Sequence, residues 1–219
     1  QHRKITATYP MEYLCLDIKY IYVHADRRNY YLLTILDVFS RRTVDQIFQK
    51  SIRQMDVINA FRRIQQQYGI KGVTIRNDNG SQFIANSVKQ YLRAAEANQE
   101  FTHVATPEEN SYIEAFHSIV QREVVDRYEF DSFYHAKHVL AAHRSWYDNR
   151  RNHRMIGMIP REKWERNIHI TEAKREQISK QQTPQVKEIK NNQDVEYSDE
   201  KLQLNSNTYY TTNSQILSN

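Results

Sequence analysis

Three carboxylates stand where a carboxylate needs a reason. Asp17 interrupts an apolar run, with Leu14, Cys15 and Leu16 before it and Ile18 after it. Aspartate is depleted in strands, and burying it unpaired costs several kcal/mol or neutralises it. Asp78 sits in RNDNGSQF, just past the short apolar run Val73-Thr74-Ile75. Glu114 lies in EENSYIEAFHSIVQREVV, a stretch of helical period. Each has an ordinary reading: Asp17 paired with Lys19 at a strand edge, Asp78 opening an Asx turn, Glu114 solvated on a helix face. Together they are oxygen ligands of the kind a hard divalent cation prefers. Ligand sites in open α/β sheets do lie at strand carboxyl ends.

The elements that must position them follow from pattern. Residues 11–23, 29–37 and 42–49 are rich in β-branched and aromatic residues, with short connections, and predict a consecutive antiparallel meander. Val57, Ile58, Phe61, Ile64 and Tyr68 recur at helical steps, predicting a helix over 54–68 stopped by Gly69. A short strand over 71–76, a helix over 79–97 and a strand over 100–104 follow. Pro107 then opens a long helix to about Tyr128, and Asp131 or Ser132 caps another to about Tyr147. In the first of these, Ile113, Phe116, Val120 and Val124 form an apolar stripe beside a polar one of Asn110, Glu114, Ser118 and Gln121. Three antiparallel strands followed by βαβ units imply a mixed five-stranded sheet with helices on both faces. The polar, Lys/Gln-rich segment 169–193 reads as a linker or surface helix, and 194–219 as a small β-rich extension. Residues 1–8 read as a tail.

Composition narrows the class. The chain has 219 residues, 39% hydrophobic and 26% charged, which fits a globular protein. Its one cysteine, Cys15, excludes an internal disulfide framework and points to an intracellular setting. No run of eighteen apolar residues is present, so no membrane span is expected. The opening QHRKITATYP has neither an initiator Met nor an apolar signal core and reads as the start of a fragment of a longer product. A net charge of +5 is consistent with a polyanionic partner. Arg150, Arg151, His153, Arg154, Arg161, Lys163 and Arg166 form a basic cluster interleaved with Trp146, Tyr147 and Trp164. It reads as a phosphate-backbone contact, or as a solvated face over core aromatics.

The order Asp, Asp, 35 residues (79 to 113), Glu resembles the integrase catalytic core, shared by retroviral integrases and bacterial insertion-sequence transposases with an RNase H-like fold. The flanking residues carry the resemblance further. LDIKYI, TILDVFSRR, RNDNGSQF, TPEENSYIEAFHSIVQRE and WYDNRRNHRMIGMIPREKW are similar in order and spacing to the motifs of the transposases, over roughly residues 9–168. The resemblance implies a catalytic triad of Asp17, Asp78 and Glu114. Asp17 would bridge two magnesium or manganese ions, Asp78 would hold one and Glu114 the other. Metal pairs of this kind activate the attacking oxygen and stabilise the leaving one in phosphodiester displacement. It further implies DNA cleavage, joining of 3′-hydroxyls to target DNA, multimers on paired DNA ends, and a bacterial cytoplasmic, nucleoid-associated setting. Gly80 is expected to adopt a backbone conformation closed to other residues.

One position departs from the pattern. Seven residues after the glutamate the transposases usually carry Lys or Arg, and here stands Gln121, with Arg122 one position on and about 80° off that face. Asn79, Gln121, Arg122, Arg150, Arg151 and Arg154 are the candidate DNA contacts. Asp37 reads as a turn residue pairing with Arg41 or Arg42, and His103 and His117 as structural or surface histidines outside any zinc motif. Two rival readings remain: a DNA-binding or assembly module of the same fold that does not cut, and a nuclease that only hydrolyses.

Overall fold

The computed structural model describes residues 5–103 and 110–182. The meander forms as expected: β1 (Tyr13–Val23), β2 (Arg28–Asp37) and β3 (Thr43–Gln49) pair antiparallel. Helix α1 (Gln54–Tyr68) follows, ended by Gly69 at φ 70°, whose N–H bonds the Gln65 carbonyl. Then come β4 (Thr74–Asn77), α2 (Ser81–Ile84), α3 (Asn86–Ala94) and β5 (Asn98–Phe101). Both β4 and β5 run parallel to β1, giving a five-stranded sheet of order β3-β2-β1-β4-β5. Helices α4 (Ser111–Val120), α5 (Phe133–Asn149) and α6 (Pro160–Gln182) complete the described chain.

The strand alternation sorts the core into two layers. Leu14, Leu16, Leu33 and Ile35 face α1 and α3 with Val57, Phe61, Val88 and Leu92. Cys15, Ile21, Leu32 and Leu36 face α4 and α5 with Ile113, Phe116, Val120 and Leu140. Cys15 is buried, and burial pushes its thiol up to about 12, so it packs as a small apolar residue. Full burial of one such Leu or Phe stabilises by roughly 1.5–3 kcal/mol.

Several boundaries differ from expectation for local reasons. The helix expected over 79–97 is broken at Ala85 (φ −55°, ψ 136°), whose carbonyl then accepts the Val88 and Lys89 N–H groups and starts α3. β4 begins after a turn at Gly72 (φ 75°) and therefore ends on Asn77, placing Asp78 just past the strand. After Val120 the helix widens into a π-turn, Gln121–Val125, in which Asp126 N–H bonds the Gln121 carbonyl. Residues 5–8, read as tail, pack in part: Ile5 is buried and its carbonyl accepts the Tyr112 hydroxyl. Residues 169–182, read as linker or surface helix, are the second half of α6. Thr171 is buried there and donates to the Pro10 carbonyl, and Arg175 donates to the carbonyls of Tyr68 and Gly69. Pro107 and the extension at 194–219 lie outside the described residues.

Candidate active site

The β1–β4 register brings the first two acids level. Cys15 pairs with Arg76, so Asp17 and Asp78 each stand two residues beyond a paired position on adjacent parallel strands. Asp17 accepts the Ile18 N–H at 2.8 Å through Oδ1. Asp78 accepts the Gly80 N–H at 2.9 Å through Oδ1, the Asx-type turn that the local sequence suggested. Burial raises the pKa of Asp78, and the nearby charge of Asp17 raises it further, against the Gly80 hydrogen bond. The two carboxylates therefore feel one another.

Glu114 projects from the first turn of α4 into the same cleft as Asp17, a space of about 700 Å³. Its other lining residues include Lys19, Tyr20, His117, Ser118, Gln121 and Arg122. Glu114, Ser118 and Gln121 of the expected polar stripe thus wall the cleft, while Asn110 is buried at the N-cap of α4. Gln121 and Arg122 both reach it because the π-turn begins at Gln121 and re-aims the residues that follow. Gln121 donates to Asp126 at 2.6 Å.

The other candidates are placed elsewhere or differently. Asn79 donates to the Thr102 carbonyl at 3.1 Å, tying the loop after β4 to the end of β5. Arg150 and Arg154 are exposed beyond α5 and do not line the cleft. Arg151 is held by Glu123 at 3.1 Å and covers Tyr147. In the wider basic cluster Trp164 is core, and Arg161 and Arg166 pair with Glu165 and Glu162 along α6. Asp37 is not paired with Arg42: its carboxylate is buried and accepts the Met11 N–H (2.8 Å), the Ser40 N–H (2.7 Å) and the Ser40 hydroxyl (2.6 Å). Backbone donors at the turn outcompete a long guanidinium because they need no further ordering.

Gly80 has φ −56° and ψ 139°, open to any residue, so the expected special conformation is not its reason. A Cβ there would meet the movable end of the Gln82 side chain and lie 3.0 Å from Asp78 Oδ1, so the neighbour it would crowd is the Asp78 carboxylate.

His117 is the residue the sequence undervalued. It is buried, and its Nδ1 lies 3.3 Å from Asp17 Oδ2. The available signal was its spacing, one turn beyond Glu114 on the same helix face.

The donor set suits a hard divalent cation in kind. Asp17 within β1 and Asp78 just past β4 repel, which a cation between them would relieve, and a third carboxylate, Glu114, lines the cleft from α4. Among the described residues no three His, Cys, Asp or Glu side chains are drawn together as a complete ligand set.

Two family models, both described as integrase core domain, match residues 7–107 and 95–160, together more than half of the chain. A protein of insertion element IS407 from Burkholderia multivorans is 27% identical over 127 residues, 58% of this chain and 46% of that protein. The transposase for insertion sequence element IS904 from Lactococcus lactis is 22% identical over 134 residues, 60% of this chain and 53% of that protein. The chain spans about half the length of these curated relatives. Among solved structures, the HTLV-2 integrase catalytic core domain in complex with magnesium superposes with a TM-score of 0.57 at 13% identity, covering 72% of this chain and 99% of that one. With the sheet order, the flanking helices and the matched families in agreement, the chain belongs to the integrase core domain family and carries its RNase H-like fold.

Proposed function

We propose that the chain is the catalytic region of an insertion-sequence transposase, which cleaves DNA at element ends and joins the 3′-hydroxyls to target DNA with magnesium or manganese. One observation carries this reading: Asp17, within β1, stands level with Asp78, just past the end of the adjacent parallel β4, and Glu114 lines the same open cleft as Asp17. Asp17, Asp78 and Glu114 would hold the metal. Bound there, divalent cations supply activation of the attacking oxygen and charge stabilisation of the leaving one. The chain's own part is to present carboxylate oxygens from rigid elements. The backbone N–H groups of Ile18 and Gly80 orient Asp17 and Asp78, and His117 braces Asp17 from α4. Lys19 and Arg122 supply positive charge along the cleft for a phosphate backbone. DNA is the substrate, a homo-oligomer on paired DNA ends the working form, and the bacterial cytoplasm the setting.

Nicking and strand joining, measured with supercoiled plasmid and pre-cut element-end DNA in manganese, test this. Metal-dependent joining by the wild type that is lost in Asp78→Asn is the expected result. Nicking without joining would make it a hydrolytic nuclease. The lack, among the described residues, of three acidic or histidine side chains drawn together as one ligand set favours a second reading, a DNA-binding or assembly module that does not cut. DNA binding with no nicking in either protein would establish that one.

A further inference from the structure

The cleft does not stop at the acids. β4 pairs with β1 only at Tyr13–Cys15, so from Leu16 onward that edge of β1 carries no further strand among the described residues. The cleft follows this edge, and residues of both β1 faces line it: Asp17 and Lys19 from one, Ile18 and Tyr20 from the other. Tyr20 is 65% exposed, although its strand is otherwise part of the central sheet. Its ring makes an edge-to-face contact with Tyr31, its cross-strand partner, at 5.0 Å between centroids. That contact holds the ring in one place and leaves most of its surface to solvent. The Tyr31 contact uses one edge of the ring, and the rest of this large aromatic surface stands open in a cleft with Lys19, Arg122, Asp17 and Glu114.

We infer that Tyr20 is a stacking platform for an unpaired DNA base near the reacting phosphate, with Lys19 and Arg122 on the backbone of the same strand. This rests on the reading that Asp17, Asp78 and Glu114 receive a DNA phosphate. Tyr20 is three residues beyond Asp17, roughly 10 Å along the strand, within reach of the first few nucleotides of an unpaired end. The occupant is a single strand, because a base inside a duplex already has both faces stacked and offers none to a tyrosine. Stacking is tolerant of base identity, so the platform would position the end of the strand without reading it.

The test uses the full chain and partial-duplex DNA with an unpaired 3′ tail, carrying 2-aminopurine one, two or three nucleotides from the end. Wild type and Tyr20→Phe are expected to quench the probe at one of these positions. Tyr20→Ala is expected to leave it unquenched and to bind the tailed DNA about 5- to 150-fold more weakly, with blunt duplex binding unchanged. A probe that stays bright with the wild type, or Tyr20→Ala indistinguishable from it, overturns the platform. Metal-dependent nicking of the same DNA separates the two claims. Nicking with an unquenched probe removes the platform alone. Tyrosine-dependent quenching without nicking upholds the platform and removes the catalytic reading of the acids.

Discussion

The protein uses aspartate in two opposite ways, and the two regions are only a few residues apart. At the turn after β2, Asp37 is fully enclosed and accepts three protein donors; at the start of β3, Asp148 from α5 likewise accepts the Thr43 N–H at 2.9 Å and the Thr43 hydroxyl. Asp17, three positions along β1 from the residue facing Asp37, and Asp78, past the end of β4, each take one local backbone N–H through Oδ1; Asp17 Oδ2 faces His117, and its charge is felt by Asp78. Asp37 and Asp148 are buried and saturated. Asp17 and Asp78 are half-buried and under-supplied. A saturated carboxylate builds a corner of the fold. An under-supplied pair keeps oxygen lone pairs for something else, and the fold tolerates their repulsion in exchange for a site.

The largest break of this comparison comes from removing ligand charge. Asp17→Asn and Asp78→Asn are each expected to lower metal-dependent nicking more than about 100-fold, beyond the upper figure for losing a partner merely outside a metal's ligands. The folded state should persist, since each asparagine keeps an oxygen for the Ile18 or Gly80 N–H. Plasmid nicking in manganese alongside circular dichroism measures both. Full activity in either variant would put that residue with Asp37 and Asp148, as architecture.

His117→Phe sharpens it one step outward. Phenylalanine keeps the bulk beside Phe116 and removes the nitrogen that faces Asp17; it also removes a buried Nε2 that has no partner among the described residues. Manganese binding by calorimetry is expected to weaken about 10- to 100-fold, with thermal stability unchanged or raised. A fall in stability with metal binding intact would make the histidine a core residue and nothing more.

How much of this was legible depended on whether the cause was local. The meander, α1 and its Gly69 stop, and the apolar and polar stripes of α4 follow from periodicities of two and 3.6, which are properties of neighbours in sequence. Asp17, Asp78 and Glu114, the carboxylates proposed as metal ligands, were singled out through spacing and resemblance. The break at Ala85, the π-turn after Val120 and the burial of Thr171 under Pro10 are set by what packs against them, and nothing within a few residues announces them. Asp37 in the fold and His117 in the cleft show the same limit. A turn aspartate beside two arginines reads as an ion pair until Met11, 26 positions away in sequence, is seen donating to it. His117 reads as one histidine among nine until β1 places Asp17 against it.

Asp37→Asn tests the architectural half. The amide nitrogen must face either Met11 N–H or the two Ser40 donors, so a buried donor loses its acceptor, a cost of about 1–3 kcal/mol. Chemical denaturation at pH 7 measures it. The wild type also carries a pH signature. Burial raises Asp37 from 3.8 to about 6, against its three hydrogen bonds. The unfolded chain therefore gives up this proton first, and the wild type loses stability as pH climbs from about 3.8 to about 6, then no more. Asparagine has no such slope, so the gap between the two proteins should narrow across that window.

The smallest effect has the opposite sign and belongs to the site. Asp78 is also raised above the ordinary carboxylate value, by burial and by Asp17. A raised carboxylate is a liability once it is ionised in the folded state: its proton is held more tightly by the fold than by the unfolded chain, so metal-free stability falls as pH rises through its titration. Asp78→Asn keeps the Gly80 hydrogen bond and removes the repulsion. The metal-free variant should therefore melt above the wild type at pH 7. Asp78 is only half-buried, and solvent screening holds the gain below about 1 kcal/mol, at most about 2–4 °C for a domain of this size. At pH 3, where the wild-type carboxyl is protonated in both states, the gain should vanish. Adding manganese at pH 7 should reverse it, because the wild type alone then gains stability from the bound ion. A variant that melts below the wild type without metal would show that Asp78 is saturated by the fold, as Asp37 is, and would erase the distinction between the two regions.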